Sequence, residues 1–318
     1  MAIYQTKGSN AQEIIENISN NPNTISAALY NLGTADNPSY PQMFEAALLS
    51  TGGSALAADL LISSKYDSVF NISGGLHHAM RANASGFCVF NDPVIAIEKF
   101  TQQKMKVVYI DIDCHHGDAV QYAFYNTPEV MTISLHESGQ FLFPGTGFVG
   151  ESGQGKGRGY SVNLPLAPYT DDGTYSMAFE AVVPPLIKSF KPDVLFTQLG
   201  IDTHYRDPIT HLRLTTQGFT KTVSRLAELS AQSASWIATG GGGYDLSAVA
   251  RGWSMALAVM VGADIPNEIP KEFQELTKGD LALIQNLKQI GKSKLDDKGK
   301  PFTGTKITFL PASTTFTN

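Results

Sequence analysis

The sequence predicts an α/β fold in which helices cover both faces of a parallel sheet. The first observation is a series of short runs rich in β-branched and apolar residues, followed by glycine or by polar clusters. The second is that segments with helical spacing of apolar residues lie between these runs. Strands that alternate with helices are typical of a parallel sheet in a three-layer α/β/α arrangement. The third is that the polar clusters follow the strands, where ligands bind in such sheets.

The predicted elements follow one another in a regular order. The strands are expected at residues 68–72, 107–110, 130–135, 194–199 and 236–238. The helices are expected at 46–61, 93–102, 175–190 and 216–232, from their alanine- and leucine-rich or amphipathic patterns. The glycine-rich segment 150–159 is expected to form a mobile or tightly turned loop.

The bulk composition limits the class of protein. The chain has 318 residues, 42% of them hydrophobic, and a net charge of -6. Length alone suggests about two domains, but α/β folds often form one domain of this length, and a single domain over residues 1–318 is expected because no linker is evident. The lysines do not cluster, so direct nucleic-acid binding is not expected. Two cysteines make no disulfide framework and favour a reduced, cytoplasmic compartment. No signal peptide is expected at the N-terminus, and the longest apolar stretch, near 255–261, is expected to be too short to cross a membrane.

The most informative stretch is Asp113-Cys114-His115, which follows an apolar run. Residues two apart on a strand face the same way, so Asp113 and His115 are expected to bind one metal ion, with Cys114 pointing away. A third ligand is expected to be a carboxylate at another strand end, and Asp202 fits this position. The alternative for Asp202 alone is a helix N-cap. One imidazole and two carboxylates with an open fourth position suit a catalytic zinc ion.

The second unusual feature is the histidine pair His77-His78. Imidazoles beside a metal ion suit proton transfer, because histidine titrates near neutral pH. Each ring needs a partner that fixes its tautomer, and Asp111 and Asp118 are the candidates. From the residues alone, general acid–base catalysis and metal ligation are equal alternatives for this pair, and one ring could also be merely structural.

Four glycines at 240–243 precede Tyr244. Glycine permits close approach of the backbone, and the Tyr244 hydroxyl is placed to donate to a developing oxyanion. The alternative is a tight turn with Tyr244 in the core, which is also the expectation for Phe87 and Phe143 taken singly. A nucleotide-binding loop is disfavoured because neither glycine fingerprint is complete. Three other histidines are expected at structural or rim positions: His136, His204 and His211.

Nine motifs lie in order along residues 32–260: Gly-Gly-Leu-His-His-Ala at 74–79, Ser-Gly-Phe-Cys at 85–88, Asp-Ile-Asp-Cys-His-His-Gly-Asp at 111–118, Ser-Leu-His at 134–136, Phe-Pro-Gly-Thr-Gly at 143–147, Tyr-Ser-Val-Asn-Leu-Pro at 160–165, Gly-Ile-Asp at 200–202, the segment 240–244, and Ala-Arg-Gly-Trp at 250–253. Together they resemble the histone deacetylase family of the arginase/deacetylase superfamily. The branch they resemble includes the bacterial and archaeal acetoin-utilisation proteins.

The resemblance implies a fold, a metal and a reaction. The fold is a single α/β domain with a parallel sheet of about eight strands. The metal is zinc, with ferrous iron as the alternative, and its ligands are Asp113, His115 and Asp202. The reaction is hydrolysis of an acetyl amide, with the carbonyl polarised by zinc and by Tyr244. The resemblance also assigns supporting roles, with His78 as general base and then acid, His77 supporting charge, Asp111 orienting His77, and Asp118 behind His78.

The resemblance further implies how substrate is bound. Phe87 and Phe143 line a narrow apolar tube around the acyl-lysine stem, and the Gly86 carbonyl accepts from the substrate amide. Asp36 matches a rim aspartate that binds the substrate backbone. The substrate-binding set is completed by Ile209 and Gly242.

Two structural potassium sites are implied in the same way. The first uses the main chain of Asp111, Asp113 and His115 with Ser134 and Leu135. The second uses the carbonyl groups of Phe124, Thr127, Val130 and Tyr160.

The chain departs from the family pattern at two places. Ala119 replaces a glycine, which is a local change. Residues 1–32 lack the extra strand and the proline- and arginine-containing segment of the family, so the N-terminal edge of the sheet is expected to be abbreviated. The segment 266–318 is expected to pack peripherally.

The function expected is zinc-dependent removal of acetyl groups from acetyl-lysine in a protein or peptide. The first alternative is a deacetylase of acetylpolyamines or other small acetylated amines, which would show acidic residues at the rim. A di-manganese ureohydrolase would need more aspartates around the metal motifs, and a non-catalytic acyl-lysine-binding module would have lost a ligand or Tyr244. The sequence does not set the oligomeric state.

Overall fold

A single sheet of six parallel strands lies at the centre of the residues that the computed structural model describes, which are 11–266, 268 and 271. The strands are β1 (Ser68–Asn71), β2 (Val107–Asp111), β3 (Val130–Glu137), β4 (Ser161–Leu166), β5 (Val194–Gln198) and β6 (Ser235–Thr239). Their order is β1-β6-β5-β2-β3-β4, and every neighbouring pair is parallel. The predicted α/β class with a parallel sheet is confirmed. The described strands number six rather than about eight, because the described N-terminal residues form helices and leave β1 and β4 as the sheet edges.

Seven helices surround the sheet in the described part of the chain. They are α1 (Ala11–Asn20), α2 (Met43–Ile62), α3 (Asp92–Gln102), α4 (Asp118–Phe124), α5 (Asp172–Phe190), α6 (Thr216–Ser230) and α7 (Leu246–Val261). Four of them begin at a side chain that accepts a hydrogen bond from the backbone N–H three residues later, which stabilises a helix start. These caps are Asn91, Asp171, Thr215 and Asp245.

The central strand β2 shows why the fold has three layers. Val108 and Ile110 pack with the cluster formed by α5, α6 and α7, whereas Val107 and Tyr109 pack with α2, α3 and α4. All five residues of β2 are buried. A parallel strand covered on both faces reads as a continuous apolar run, which is the pattern that the sequence has at this place.

The carboxyl ends of the strands meet at one edge of the sheet. Asp111 at the end of β2 is in register with Ser134 of β3 on one side and with Gln198 of β5 on the other. Gln198 is in turn in register with Thr239 at the end of β6, which pairs with Asn71 of β1. The loops that carry the polar motifs therefore leave neighbouring strands at this edge, as the sequence predicts.

The described N-terminal residues form a small cluster of their own. α1, a 3-10 turn at Ile25–Tyr30 and the start of α2 bury Ile18, Leu32 and Met43 together. α2 then continues over the sheet. Within the described residues it is the one helix with the length and apolar composition of a membrane-crossing segment, criteria that core helices of folded domains also meet. The expectation that 255–261 is the longest apolar stretch is therefore wrong, because the small residues of α2 extend its apolar character over 20 residues.

Several elements were not predicted. α4 is too short to show a helical period, and β4 contains a proline and an asparagine that interrupt its apolar pattern. The glycine-rich segment 150–159 is tightly turned around a 3-10 turn at Gly155–Gly157. Apart from residues 266, 268 and 271, the peripheral segment expected at 266–318 lies outside the described residues.

Candidate active site

A buried group of three side chains lies where the loops after β2 and β5 meet. His115 Nδ1 is 3.1 Å from Asp113 Oδ1 and 2.8 Å from Asp202 Oδ2. The ligand atoms of the three residues lie within 4.8 Å of one another, so they could bind one metal ion. β2 ends at Asp111, so Asp113 and His115 lie in the bend after the strand rather than on a strand face. Asp202 is not a helix N-cap, because no described helix begins between β5 and Thr216, and its Oδ1 instead accepts the backbone N–H of Cys114 at 2.7 Å.

Glycine gives this group the room that it needs. A Cβ atom on Gly200 would overlap the carboxylate of Asp113, and one on Gly242 would overlap that of Asp202. The Gly242 N–H also donates to Asp113 Oδ2 at 2.7 Å. Gly242, which the resemblance placed in the substrate-binding set, therefore lies directly against the three candidate ligands Asp113, His115 and Asp202, called the metal-ligand group below.

Burial and charge suit this group to a cation. Asp113 and Asp202 are both fully buried. Burial and the nearby charge of Asp113 raise the pKa of Asp202 to about 7. Burial also opposes ionisation of Asp113, but His77 and His115 hold the pKa of Asp113 well below its usual range. Two buried carboxylates against one imidazole leave negative charge that a divalent cation neutralises, and this donor set fits zinc.

Each of the two adjacent histidines pairs with one aspartate. His77 Nδ1 lies 2.7 Å from Asp111 Oδ2, and His78 Nδ1 lies 2.8 Å from Asp118 Oδ1, with the two rings 4.0 Å apart. Burial lowers the pKa of both rings. The charges of Asp111 and Asp113 outweigh burial and raise the pKa of His77 to about 9. The charge of His77 adds to burial and lowers the pKa of His78 to about 4, so the first ring holds a proton while the second keeps a free lone pair.

Two buried side chains that are not part of any motif named above hold the carboxylates of Asp113 and Asp111 in place. The Gln198 amide, at the end of β5, donates to Asp113 Oδ2 at 2.8 Å. The Tyr109 hydroxyl donates to Asp111 Oδ2 at 2.7 Å. The sequence signal for Gln198 is a polar residue that closes an apolar strand before a glycine, whereas Tyr109 is indistinguishable from a core aromatic in the sequence.

A third support lies at the start of α3. Asp92 is fully buried and accepts the backbone N–H groups of Gly75 and Leu76, just ahead of His77. The Asn91 side chain donates to the carbonyl group of His77 at 3.1 Å. The asparagine and the proline at the start of this helix are a capping signal in the sequence, but nothing in the sequence indicates that the cap also holds the histidine loop.

Three partly exposed aromatic side chains lie close to the histidines and to one another. The ring of Phe143 lies 5.0 Å from that of His78 and 6.3 Å from that of His115. The rings of Phe87 and Tyr244 lie 5.9 Å apart. Phe87 is 53%, Phe143 44% and Tyr244 37% exposed. The expectation that Phe87 and Phe143, taken singly, are core residues is therefore wrong, because their loops hold the rings at the surface.

The loop after Asp202 is hydrogen-bonded to the segment that carries Tyr244. Asp207 accepts the backbone N–H of Tyr244 at 2.9 Å and that of Ile209 at 3.1 Å. The Thr210 hydroxyl donates to the carbonyl group of Asp202. Burial, with the charge of Asp202, raises the pKa of the Tyr244 hydroxyl above its usual range, so this group remains a proton donor at neutral pH.

The remaining predicted substrate residue and the other histidines lie outside the metal-ligand group. Asp36 is exposed in the loop before α2, and no hydrogen bond among the described residues joins it to that group. His136 and His204 are fully buried, whereas the side chain of His211 is 47% exposed. The Cys114 thiol is 3.8 Å from Glu137 and is not part of the metal-ligand group.

The residues expected to bind potassium lie around β2 and β3. Asp111 and Ser134 are partners across these strands, next to Leu135. Farther away, the Phe124 carbonyl accepts the N–H of Thr127, and the Tyr160 carbonyl accepts the N–H of Thr132. Val130 begins β3.

Comparison with known proteins decides the family. The model of the histone deacetylase domain matches residues 6–260. The chain belongs to the histone deacetylase domain family. The acetoin utilization protein AcuC of Bacillus subtilis is 45% identical over 250 residues, which cover 77% of this chain and 64% of that relative. AcuC of Staphylococcus aureus is 39% identical over 244 residues, which cover 75% and 62% of the two chains.

Other members of the histone deacetylase family are also similar. The probable histone deacetylase 1-B of Xenopus laevis is 42% identical over 241 residues, covering 76% of this chain and 49% of that relative. A crystal structure of an HDAC homologue complexed with SAHA superposes with a TM-score of 0.83 and 30% identity, covering 93% of this chain and 79% of the other. An HDAC homologue from Aquifex aeolicus gives a TM-score of 0.82. The chain spans less than two thirds of the length of the AcuC relatives, and its fold is that of the family.

Proposed function

We propose that this chain is a zinc-dependent amidohydrolase that removes acetyl groups from acetyl-lysine in proteins or peptides. The observation that carries the proposal is the pair of aspartate-bound histidines beside a buried Asp-His-Asp group at one edge of the sheet. Membership of the histone deacetylase domain family supports a deacetylase. The proposed zinc ligands are Asp113, His115 and Asp202. When bound there, zinc would polarise the amide carbonyl and make hydroxide available near neutral pH.

His78 is the proposed general base. Its Nδ1 lies against Asp118, which fixes the tautomer that leaves Nε2 free to accept a proton. The lowered pKa keeps this ring neutral before the reaction. The same nitrogen then donates its proton to the amine that leaves. His77 holds its proton against Asp111 and supplies positive charge next to the reaction centre.

Tyr244 is the proposed donor to the oxygen of the substrate carbonyl. Its raised pKa keeps the hydroxyl protonated, so it can donate as negative charge develops on that oxygen. Phe87 and Phe143 enclose the stem of the acyl-lysine and exclude water, which strengthens this hydrogen bond. The Gly86 carbonyl is the proposed acceptor for the substrate amide, with Ile209 as a further apolar wall residue. Two more substrate-binding residues are proposed at the rim and floor, Asp36 and Gly242.

Potassium is proposed as a structural ion beside β2 and β3. Carbonyl and hydroxyl oxygens are the donors that such a hard cation prefers. One site is proposed at the main chain of Asp111, Asp113 and His115, with Ser134 and Leu135. The other is proposed at the carbonyl groups of Phe124, Thr127, Val130 and Tyr160.

The test is hydrolysis by the purified protein with metal analysis. Acetyl-lysine peptides and an acetylated polyamine are offered in parallel to protein loaded with zinc or with ferrous iron. We expect release of acetate from the peptide by the zinc form. Faster turnover of the polyamine would instead favour a deacetylase of small amines. Turnover of neither substrate by protein that has bound zinc would disprove the proposed function.

Gly86 offers a sharper test of the role of His78. Gly86 has φ +50, and a Cβ atom there would overlap the ring of His78. We expect Gly86→Ala to displace the imidazole and lower kcat by about 10- to 100-fold, since a positioned base contributes at least that much. Steady-state kinetics with an acetyl-lysine peptide measures this effect.

A matched control separates the effect of the contact with His78 from the effect of placing alanine at a positive φ. Gly262 has φ +64 and open space around its Cβ position, so Gly262→Ala carries a similar backbone strain far from the histidines. It is expected to retain the wild-type kcat. Equal kcat values in the two variants would show that Gly86 does not position His78.

A further inference from the structure

A buried carboxylate, Glu137, closes β3 next to the candidate active site. Its side chain is fully buried, and Oε1 lies 2.9 Å from His211 Nδ1. Oε2 accepts the backbone N–H of the same histidine, also at 2.9 Å. Among the described residues, no ion pair joins Glu137 to a lysine or an arginine, so His211 is its one ionisable partner in an ion pair. Neither residue belongs to the metal-ligand group or to the histidine pairs.

The two residues belong to the two segments that carry the proposed walls of the acyl pocket. Glu137 is the last residue of β3, and the segment that follows it carries Phe143. His211 ends the loop in which Asp207 accepts the backbone N–H groups of Ile209 and Tyr244. The contact between Glu137 and His211 therefore joins the wall of Phe143 to the wall of Ile209 and Tyr244.

The two hydrogen bonds of Glu137 restrain both chain segments that it joins. One carboxylate binds a ring nitrogen and a backbone N–H of the same residue, so it restrains the histidine rotamer and the path of the chain together. The other side of the pair is also held, because the Glu137 N–H donates to the carbonyl group of Cys114, between two of the proposed ligands, at 2.9 Å. A buried carboxylate paired with a half-exposed histidine adds little net stability, so a geometric role suits this pair better.

We propose that Glu137 and His211 are positioning residues that set the width of the acyl pocket and thereby the length of the acyl chain that it accepts. This inference rests on the proposed deacylase function, since the pocket walls are those assigned to the acyl-lysine. An apolar pocket discriminates substrates by single methylene groups, by about 10-fold or more for each, so a small change in the distance between its walls changes selectivity.

The test compares acyl chains rather than overall activity. Glu137→Ala and His211→Ala are assayed with acetyl-, propionyl- and butyryl-lysine peptides. We expect the ratio of kcat/KM for butyryl over acetyl to rise by about threefold or more in both variants, a fraction of what one methylene group can contribute. Glu137→Gln should keep the wild-type ratio, because the glutamine amide can accept from the His211 backbone N–H and donate to the His211 ring nitrogen.

The controls distinguish positioning from general damage. Glu180 pairs with Arg225 on the surface, and Glu180→Ala should leave the ratio unchanged. His211 is half-exposed, so His211→Ala keeps the test available if Glu137→Ala does not fold. Equal losses for every acyl chain, with an unchanged ratio in His211→Ala, would overturn the proposal.

Hydrogen exchange gives a readout that does not depend on turnover. Exchange measured by mass spectrometry in Glu137→Ala or His211→Ala should rise in peptides that cover residues 203–211 and 243–246 and stay constant in the peptide of α6. If the wild type hydrolyses no acyl-lysine but this exchange pattern appears, the proposed function fails and the link between the walls stands. If the wild type is active and neither the ratio nor the exchange changes, the inference fails alone.

Discussion

Asp202→Asn is expected to lose tight zinc binding and nearly all hydrolysis while the metal-free fold stays at least as stable as the wild type. The substitution removes the charge of a proposed ligand but keeps an acceptor for the Cys114 N–H. The loss of zinc affinity should exceed the ~10- to 100-fold that follows removal of a group that only supports a ligand. Asp113 and Asp202 are buried against each other, so removing one charge relieves repulsion in the metal-free protein.

Two measurements together check this expectation. Zinc affinity is obtained by competition with a chromophoric chelator, and thermal unfolding is followed with and without zinc. The wild type should gain stability on binding zinc, whereas the variant should gain little. Asp67→Asn, at an exposed aspartate before β1, is the matched control and should behave as the wild type. A variant with wild-type zinc affinity would remove Asp202 from the ligand set.

Tyr244→Phe is expected to keep zinc and lose most of its activity. The hydroxyl is not among the ligand atoms of the Asp-His-Asp group, so metal binding should not change. Removal of one donor to a developing oxyanion typically costs about 100- to 1,000-fold in kcat. The ring remains, so packing against Phe87 should be retained. The effect should therefore fall on kcat more than on KM.

Kinetics and zinc analysis of the same preparation measure the two halves of this expectation. Tyr66→Phe changes a half-exposed tyrosine in the turn between α2 and β1 and serves as the control. Wild-type turnover by Tyr244→Phe would assign the oxyanion contact to another group. Loss of zinc in this variant would instead point to a structural role for the hydroxyl.

The alternation of strands and helices and the place of the site could be predicted because both follow from simple periodicity. Apolar runs that end in polar clusters predict parallel strands with a shared functional edge. The spacing of Asp113 and His115 predicted convergence even though the strand ends before them, since a bend can also bring residues two apart together. Asp202 could be proposed because it stands at an equivalent strand end.

What the sequence did not predict depends on contacts between distant segments. Gln198 and Asp92 look like an ordinary strand end and an ordinary helix start, and only the fold brings them against Asp113 and the histidine loop. The exposure of Phe87 could not be predicted either, because it comes from a residue with φ +67 that turns the ring outward. The contact of Glu137 with His211 joins residues 74 positions apart, beyond any local pattern.

The glycines beneath the pocket have a consequence for engineering. Gly117, Gly200 and Gly242 each lie so close to a different aspartate that any side chain would overlap its carboxylate. These aspartates are Asp111, Asp113 and Asp202. The backbone at these three glycines lies directly against the aspartate carboxylates. Variant libraries that place a side chain at any of the three positions would therefore consist almost entirely of inactive members. A search for new acyl specificity should leave these three glycines constant and vary the two loops that carry Phe143 and Ile209, where side chains are already exposed and replacement costs little folding energy.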